Sequence, residues 1–431
     1  MDQHPSSVVV KPARNLAGSV RLPGDKSISH RYAMLAAIAR GNTRLENFST
    51  GADCASTLAS VSRLGAEVRR GADERIEIAG SGPVLRVPAE ALDCGNSGST
   101  MRMLAGILAG QPFTSELVGD SSLSRRPMKR IMEPLSAMGA KIVARDGHAP
   151  LSITGGRLRA IDYQVPVASA QVKTCLLFAA LFASGVTSVE EPLRTRDHGE
   201  LALRAFGAEL TRSRNRISIA GGQQLAAIEA FIPGDLSSAA FFLCAAALFP
   251  ESNLVIEAVL MNPTRAGLLD VLTAMGGKFS VLQLEEHHGE LMGTVQMHPG
   301  RLKGATISGA LSAALIDELP VLAAIGPYTS EGVEIRDAAE LRVKESDRIA
   351  VVASNLRAMG AEVEEFEDGM RVRGGQEPHG AEIDSAGDHR IAMAFAVAAL
   401  RAHGDTVIHG ADAARISYPE FFSTLEGIVE R

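Results

Sequence analysis

The sequence of 431 residues is short of aromatic residues and cysteine, with no tryptophan, four tyrosines and four cysteines. The cysteines lie far apart, and none belongs to a CxxC or Cys/His spacing of the kind that binds zinc. Cys175 and Cys244 lie within apolar runs, so we expect buried free thiols in a reducing compartment, the cytoplasm. The sequence also lacks a P-loop and a GxGxxG motif followed by an acid, and we therefore expect no ATP, NAD, metal or other cofactor.

Long apolar runs are missing as well. The longest, such as CLLFAALFA at 175–183, are too short to span a bilayer, and the first residues have no apolar core of signal-peptide length. Because 43 basic and 50 acidic residues give a net charge of −7, the composition argues against non-specific binding to nucleic acid. We expect a monomeric cytoplasmic protein whose partners are small molecules, with no membrane and no nucleic acid among them.

What the sequence does contain is a phrase that recurs about every 70 residues, a spacing typical of a repeated supersecondary unit. An apolar residue is followed by glycine, a small residue, a charge and another apolar residue, as in LGAEV at 64–68, MGAKI at 138–142, FGAEL at 206–210, MGGKF at 275–279 and MGAEV at 359–363. The glycine is typical of a helix C-cap, and the residues after it are typical of a strand. The phrase predicts an α/β unit repeated about six times.

Alanine-rich segments mark the front of each repeat. They are apolar almost all round, which predicts buried helices over 26–39, 96–109, 169–183, 235–248, 314–326 and 388–400. Each is followed by a strand-like run and by a more amphipathic helix that ends in the glycine phrase. The repeat therefore consists of a buried helix, a strand, a surface helix and a further strand, which is an α/β fold.

Two of these fronts share a Pro-Gly-Asp turn, in LPGDKSISH at 22–30 and in IPGDLSSAA at 232–240. The turns lie three repeats apart, which predicts two domains of three repeats, with the chain crossing at each turn. The boundaries are 1–24 plus 237–431 for one domain and 25–236 for the other. Where the first front has Lys26 and Arg31, the second has Leu236 and Phe241, so we expect a bare turn there and a binding site at the first front.

Basic groups at the starts of buried helices predict anion sites, because helix N-termini attract phosphates and carboxylates. The segments are GNSGST at 95–100, SRRP at 124–127, where two arginines precede a proline expected at the first helical position, and DHR at 388–390. Each motif alone is also compatible with an ordinary surface turn or, for His389, with a structural histidine.

The densest charged segment is ELRVKESDRIA at 340–350. Spacing of four residues predicts Lys344 and Arg348 on one helical face, which is also the pattern of a plain solvated helix. Asp317 enters an otherwise apolar stretch, a setting that raises the pKa of an acid and suits it to proton transfer. Together these segments predict a pocket for substrates with several negative groups.

The motifs carry a resemblance that spans essentially the whole chain. PGDKSISHR, GNSGSTMR, SRRPM, SAQVK, TRDH, IDELP, LRVKESDR and GDHRIAM stand in the order found in the 5-enolpyruvylshikimate-3-phosphate synthase family. The resemblance implies two domains, each of three βαβαββ-type copies with buried parallel helices, similar to an inverse α/β barrel, and a site in the cleft. It also implies that the N-terminal strand belongs to the domain of the C-terminal half.

By the same resemblance, the enzyme transfers the enolpyruvyl group of phosphoenolpyruvate to the 5-hydroxyl of shikimate 3-phosphate and releases phosphate. Shikimate 3-phosphate is expected at Lys26, Ser27, Arg31, Ser169, Ala170, Gln171, Arg196, Asp317 and Lys344. Phosphoenolpyruvate is expected at Lys26, Asn96, Gly98, Arg126, Gln171, Arg348 and Arg390. The implied catalytic residues are Lys26, Asp317 near the attacked hydroxyl, and Glu345 near C3.

Some positions depart from the family pattern. Ser97 stands where many members have alanine, Glu340 where part of the family has asparagine, and Ile416 close to a family lysine. The nearest rival is the UDP-N-acetylglucosamine enolpyruvyl transferase family, which typically has Lys-Asn in the first motif and a reactive cysteine at the position of Ser121. A non-catalytic repeat scaffold that binds anionic metabolites and a phosphate-end cyclase are the alternatives of another class.

Overall fold

The chain divides into two compact units in the computed structural model, which describes residues 6–265, 267–298 and 300–431. The split unit comprises Met1–Pro23, Pro233–Glu285 and Leu291–Arg431, and the inserted unit comprises Gly24–Ile232 and Glu286–Glu290. Helices and strands alternate in both, so the α/β class predicted from the sequence is confirmed. Among the described residues, none of the helices combines the length and the hydrophobicity that crossing a membrane requires.

The first part of the chain contributes two strands to the split unit and then builds the inserted unit. Its elements are β1 Ser7–Val10, β2 Asn15–Arg21, α1 Lys26–Ile38, β3 Arg40–Glu46, α2 Ala52–Arg63, β4 Glu67–Arg70, β5 Ile76–Ser81, β6 Leu92–Asp93, α3 Gly98–Ala109, β7 Thr114–Val118, α4 Lys129–Met138, β8 Lys141–Arg145, β9 His148–Thr154, β10 Leu158–Arg159, β11 Asp162–Gln164, α5 Ala170–Ala180, β12 Ala183–Ser184, β13 Val186–Glu190, α6 His198–Ala205, β14 Leu210–Ser213, β15 Arg216–Ala220 and β16 Glu229–Phe231.

The rest of the chain completes the split unit, apart from the residues around the turn between β18 and β19. Its elements are α7 Leu236–Ala247, β17 Asn253–Leu260, α8 Gly267–Ala274, β18 Lys278–His287, β19 Glu290–His298, β20 Gly304–Ile307, α9 Ala310–Ala314, α10 Leu319–Ala324, β21 Gly332–Ile335, α11 Arg348–Ala358, β22 Val363–Phe366, β23 Gly369–Val372, β24 Glu382–Asp384, α12 His389–Ala399, β25 Thr406–His409, α13 Phe421–Glu426 and β26 Val429–Glu430.

The sheets repeat one strand order. In the inserted unit the orders are β16-β3-β5-β4, β6-β7-β9-β8 and β11-β13-β15-β14, and in the split unit β20-β21-β23-β22 is the same arrangement. Each has a leading strand parallel to a central strand, which pairs in turn with an antiparallel hairpin. This common order is the structural counterpart of the repeat in the sequence.

At each Pro-Gly-Asp turn the chain passes from one unit to the other, and the strand before the turn belongs to the unit that the chain leaves. Strand β2 precedes the first turn and pairs in parallel with β17, and β16 precedes the second turn and pairs in parallel with β3. Strand β1 pairs with β25. Each unit therefore completes one of its sheets with a strand from a distant part of the sequence.

The glycines of the recurring phrase end the surface helices, as predicted. They follow α2, α4, α6, α8 and α11 and have left-handed φ angles of 107° at Gly65, 117° at Gly139, 90° at Gly207, 95° at Gly276 and 83° at Gly360. A residue with a Cβ is strained in this conformation, which explains why glycine recurs there.

Five of the six predicted buried helices are single helices with apolar residues all round, and every residue of α7 and α12 is buried. The prediction of one helix over 314–326 is wrong, because the segment holds the short helices α9 and α10 with a turn over 315–318 between them. Pro320 has no N–H to bond to the carbonyl four residues earlier, so a helix cannot continue through it undisturbed. Asp317 therefore lies in a turn.

Two other local predictions are also wrong. Lys344 and Arg348 do not share a helical face, because α11 begins only at Arg348, where the Asp347 side chain accepts a hydrogen bond from the Ala350 N–H at 3.1 Å. An N-cap of this kind fixes the start of a helix and leaves the preceding residues outside it. Pro127 is not the first residue of a helix either, because α4 begins at Lys129.

Candidate active site

The front of α1 carries Lys26 on a capped helix start. The Asp25 side chain accepts a hydrogen bond from the Ile28 N–H at 2.9 Å, and Lys26 is the first helical residue. Its Nζ lies 3.0 Å from Oδ2 of Asp53, which is buried near the start of α2. Sequence reasoning missed Asp53, since no local pattern marks a partner 27 residues away. The ion pair fixes the ammonium group at the helix start.

Arg31 is a buried cation that joins α1 to α5. Nε and Nη2 donate to Oγ1 of Thr174 at 3.2 and 3.0 Å, and Nη1 donates to the Ser27 carbonyl at 2.8 Å. Burial is the main cause that lowers the pKa of Arg31 to about 10, while the carboxylates of Asp25 and Glu200 act against it. Arg31 is therefore still charged at neutral pH, and these hydrogen bonds, which go to neutral groups, leave its charge available to stabilise an anion.

A buried chain of hydrogen bonds runs beneath this front. Nδ1 of His30 lies 2.7 Å from the Thr57 hydroxyl, which lies 2.7 Å from the Thr100 hydroxyl, and Thr100 in turn contacts the capping serine of α3. Burial, and then the charges of Lys26 and Arg31, hold the pKa of His30 well below its usual value. His30 is therefore neutral and serves to link α1, α2 and α3.

The start of α3 brings two arginines close to its backbone. Nη2 of Arg126 donates to Oδ1 of Asn96 at 2.7 Å, and Nδ2 of Asn96 donates to Oδ2 of Asp120 at 2.8 Å. A Cβ at Gly98 would lie 2.8 Å from Nη1 of Arg102 and 3.4 Å from Nη1 of Arg126. Glycine at this position lets both guanidinium groups approach the helix start. Sequence reasoning missed the contribution of Arg102, although the residue lies within a quoted motif.

Gln171 connects the starts of α3 and α5. Its Oε1 accepts a hydrogen bond from Nη1 of Arg102 at 2.9 Å, and its Nε2 donates to the Ser99 hydroxyl at 2.9 Å. Ser169 caps α5, with its hydroxyl accepting from the Val172 N–H at 3.3 Å. Within the inserted unit, hydrogen bonds thus tie together predicted site residues from the starts of α1, α3 and α5.

In the split unit, Arg348 is 1% exposed and is held by carboxylates. Its Nε donates to Oδ2 of Asp388 at 2.8 Å, and its Nη2 donates to Oδ1 of Asp388 at 3.2 Å and to Oε2 of Glu345 at 2.7 Å. Burial acts to lower the pKa of Arg348, but the carboxylates of Asp388 and Glu345 outweigh it and raise the pKa. Asp388 also caps α12 at the Arg390 N–H. It belongs to the DHR segment quoted from the sequence, but its pairing with Arg348 was not predicted.

Asp317 lies between two guanidinium groups. Its Oδ1 is 3.7 Å from Nη1 of Arg348 and 3.7 Å from Nε of Arg390, while its carbonyl accepts from Nη1 of Arg390 at 2.9 Å. Lys344 belongs to the same group, because burial lowers its pKa while the Asp317 carboxylate acts against that shift. The structure therefore brings together Asp317, Glu345, Lys344, Arg348 and Arg390. Their roles in proton transfer and binding stay predictions.

The second Pro-Gly-Asp front is not the bare turn that the sequence predicted. The Ser237 hydroxyl donates to Glu318, and Nη2 of Arg265 donates to the Ser237 oxygen at 2.7 Å and to Oε1 of Glu318 at 3.3 Å. All three residues are buried. This front contains a buried ionic network of its own, built from residues that are distant in sequence. Because Glu318 directly follows Asp317, the network also holds the turn that carries Asp317.

The chain's relatives identify its family. Residues 10–425 match the family model of EPSP synthase, 3-phosphoshikimate 1-carboxyvinyltransferase. The chain belongs to the EPSP synthase family. It is 66% identical over 425 residues to the 3-phosphoshikimate 1-carboxyvinyltransferase of Koribacter versatilis, covering 99% of this chain and 100% of that protein. The protein of the same name from Solibacter usitatus is 56% identical, with 98% and 99% covered.

A solved structure gives the same result. The EPSP synthase of Acinetobacter baumannii superposes with a TM-score of 0.87 at 40% sequence identity, and the match covers 98% of both chains. The family resemblance in the motifs is thereby confirmed, and the chain is a transferase of this family. Among the described residues, no group of three or more histidine, cysteine or acidic side chains is arranged to hold a metal ion.

Proposed function

We propose that the chain transfers the enolpyruvyl group of phosphoenolpyruvate to the 5-hydroxyl of shikimate 3-phosphate, with release of phosphate, in the shikimate pathway that leads to chorismate and the aromatic amino acids. Family membership supports the reaction. The residues are assigned on one observation: arginines and lysines cluster near helix starts, and the carboxylates of Asp317 and Glu345 lie beside one of these arginines. Clustered cations of this kind stabilise anionic substrates and the charge that develops on a departing phosphate.

The inserted unit supplies most of the proposed contacts to shikimate 3-phosphate. Arg31 is buried and hydrogen-bonded to neutral groups, which favours a phosphate beside it. The proposed ligands are Lys26, Ser27, Arg31, Ser169, Ala170, Gln171 and Arg196, with Asp317 and Lys344 from the split unit. A serine cap and free N–H groups at the start of α5 add further donors for the anion.

Phosphoenolpyruvate is assigned to a second set of residues, which shares Lys26 and Gln171 with the first. The proposed ligands are Lys26, Asn96, Gly98, Arg126, Gln171, Arg348 and Arg390. Arg126 is held by Asn96 and Arg348 by Asp388, so each guanidinium group has a fixed orientation before substrate binds. A planar guanidinium group recognises a carboxylate or phosphate through two parallel hydrogen bonds. Lys26 is proposed to contact both substrates.

The two carboxylates have different proposed tasks. Asp317 takes the proton of the attacking hydroxyl, and Glu345 delivers a proton to C3 of phosphoenolpyruvate, so that a C–O bond forms at C2. The resulting tetrahedral intermediate then loses phosphate, which leaves with the proton held by Asp317, while Glu345 takes a proton back from C3 and the double bond forms again. The contacts of both acids with Arg348 support this assignment, because they hold the two carboxylates to one guanidinium group.

The two compact units are proposed as the two predicted domains, 1–24 plus 237–431 and 25–236. The boundaries at Pro23 and Ile232 lie within a few residues of these limits and support the proposal. A cytoplasmic location is proposed as well, supported by four buried free cysteines. The monomeric state stays a prediction, which light scattering after size-exclusion chromatography measures.

Phosphate release tests the proposed function. The protein is incubated with phosphoenolpyruvate and either shikimate 3-phosphate or UDP-N-acetylglucosamine, and inorganic phosphate is measured. Release is expected with the first acceptor alone. Absence of release with shikimate 3-phosphate would contradict the proposal, and near-full rates in Asp317→Ala or Lys26→Ala would contradict the roles of those residues.

A further inference from the structure

The loop over 191–197 carries Arg196 and joins β13 to α6. Arg196 is half-buried, and its charge contributes, after burial, to the lowered pKa of Arg31, so the two guanidinium groups lie close enough to repel each other. Two like charges stay near each other only if other groups hold them there.

Lys173 is fully buried and pairs with both ends of the loop. Its Nζ lies 2.9 Å from Oε2 of Glu191, the first residue of the loop, and 3.0 Å from Oε1 of Glu200, which lies in the first turn of α6 after the loop. Nη1 of Arg212 lies 3.0 Å from the same oxygen of Glu200, so two cations and two carboxylates balance. Pairing of this kind offsets the desolvation of buried charges, so the four groups fix one another's positions.

Thr195 extends this arrangement to the residue next to Arg196. Its hydroxyl donates a hydrogen bond to Oε1 of Glu191, the carboxylate whose other oxygen receives Lys173. A chain of contacts thus runs from Lys173 in α5 through Glu191 to Thr195. Because the next residue is Arg196, this chain fixes the backbone from which the Arg196 side chain starts.

Lys173 lies on α5, whose start carries other proposed ligands of shikimate 3-phosphate. It is two residues beyond Gln171, and the residue after it, Thr174, accepts two of the three hydrogen bonds that Arg31 donates. A Cβ at Gly199 would lie 2.6 Å from the Thr174 hydroxyl, so α6 packs directly against α5 here. The first two turns of α5 therefore position Arg31 and the loop of Arg196 together.

We propose that Lys173, Glu191 and Thr195 are positioning residues that hold Arg196 for the phosphate of shikimate 3-phosphate. The inference rests on the proposed function, because it takes that acceptor as the ligand of Arg196. A buried ionic network can also serve fold stability alone. A positioning role, unlike a purely structural one, affects one substrate selectively and acts through Arg196.

Thr195→Val tests the proposal while keeping all four charged groups, since valine has the shape of threonine but no hydroxyl. The KM for shikimate 3-phosphate is expected to rise about 3- to 10-fold, the order of effect of one lost hydrogen bond, with kcat and the KM for phosphoenolpyruvate unchanged. Thr195→Ser keeps the hydroxyl and is expected to restore the wild-type KM. Thr114→Val is the matched control, because it removes a hydroxyl pair with Thr154 at an exposed position between strands β7 and β9 of the same unit.

A double-mutant cycle with Arg196→Gln shows whether Thr195 acts through Arg196. The KM for shikimate 3-phosphate is expected to rise in Arg196→Gln and to rise no further when Thr195→Val is added. Independent effects of the two changes, or equal increases in both KM values in Thr195→Val, would overturn the proposal. An unchanged KM in Arg196→Gln would overturn it too, while phosphate release by the wild type would still support the proposed function.

Discussion

Replacing Asp388 with alanine is expected to loosen Arg348 and to weaken phosphoenolpyruvate binding. Asp388 is fully buried, and its carboxylate accepts hydrogen bonds from Nε of Arg348 at 2.8 Å and from Nη2 at 3.2 Å. It also accepts from the Ser346 hydroxyl at 3.0 Å and from the Arg390 N–H at 2.9 Å. The alanine variant therefore loses the partner of Arg348 and the cap of α12 in one step.

The size of the effect follows from these contacts. Removing one partner of a buried ion pair costs about 3 to 5 kcal/mol, because the other charge stays buried without compensation. Because Arg348 keeps its hydrogen bond to Glu345, we expect the loss of stability to lie near the lower end of this range. The lost cap of α12 adds about 1 kcal/mol. We expect the free energy of unfolding of the split unit to fall by about 4 kcal/mol. The KM for phosphoenolpyruvate is expected to rise about tenfold or more, equivalent to at least about 1.4 kcal/mol.

Urea unfolding followed by circular dichroism measures the first quantity, and steady-state phosphate release measures the second. Asp235→Ala is the matched control, because it removes the carboxylate that caps α7 at the Ser238 N–H, 2.9 Å away, and lies outside the proposed site residues. It is expected to leave both KM values unchanged. If Asp388→Ala lost less than about 1 kcal/mol, the value typical of exposed pairs, and kept its KM for phosphoenolpyruvate, the reasoning would be refuted.

Three other changes have distinct expected outcomes. Gly98→Ala places a Cβ 2.8 Å from Nη1 of Arg102 and 3.4 Å from Nη1 of Arg126, so the KM for phosphoenolpyruvate should rise with little change for shikimate 3-phosphate; equal changes in both would count against the assignment. Because burial lowers the pKa of Lys344, binding of shikimate 3-phosphate should weaken with rising pH at a lower pH than an ordinary lysine would give. Lys344→Arg should shift this loss of binding to higher pH, and calorimetric titrations at several pH values measure the shift. Gly139→Ala should lower the free energy of unfolding by about 1 kcal/mol without changing kcat, since φ is 117° there; an unchanged urea midpoint would contradict the C-cap role.

The repeats and the starts of the buried helices could be predicted because their signals are local. Gly139 and the other glycines of the phrase follow a helix directly, and the positive φ that they adopt is a property of one residue. The same holds for Lys26, which follows its capping residue Asp25. Local patterns of this type give the position of a site residue along the chain without any knowledge of its neighbours in space.

The partners of those residues could not be predicted, since they come from distant parts of the sequence. Asp53 pairs with Lys26 across 27 residues, and Asp388 pairs with Arg348 across 40 residues. The helix over 314–326 was predicted wrongly because its apolar composition was given more weight than Pro320. The shared face of Lys344 and Arg348 was predicted wrongly because their spacing was given more weight than the Asp347 cap. The buried network of the second Pro-Gly-Asp front was missed for the same reason as Asp53.

The most direct measurement is phosphate release from phosphoenolpyruvate with each of the two acceptors, followed by mass spectrometry of the organic product. Release with shikimate 3-phosphate and a product heavier by one enolpyruvyl group are expected, together with loss of release in Asp317→Ala. Release with UDP-N-acetylglucosamine instead, or phosphate release without an enolpyruvyl product, would contradict the proposed function.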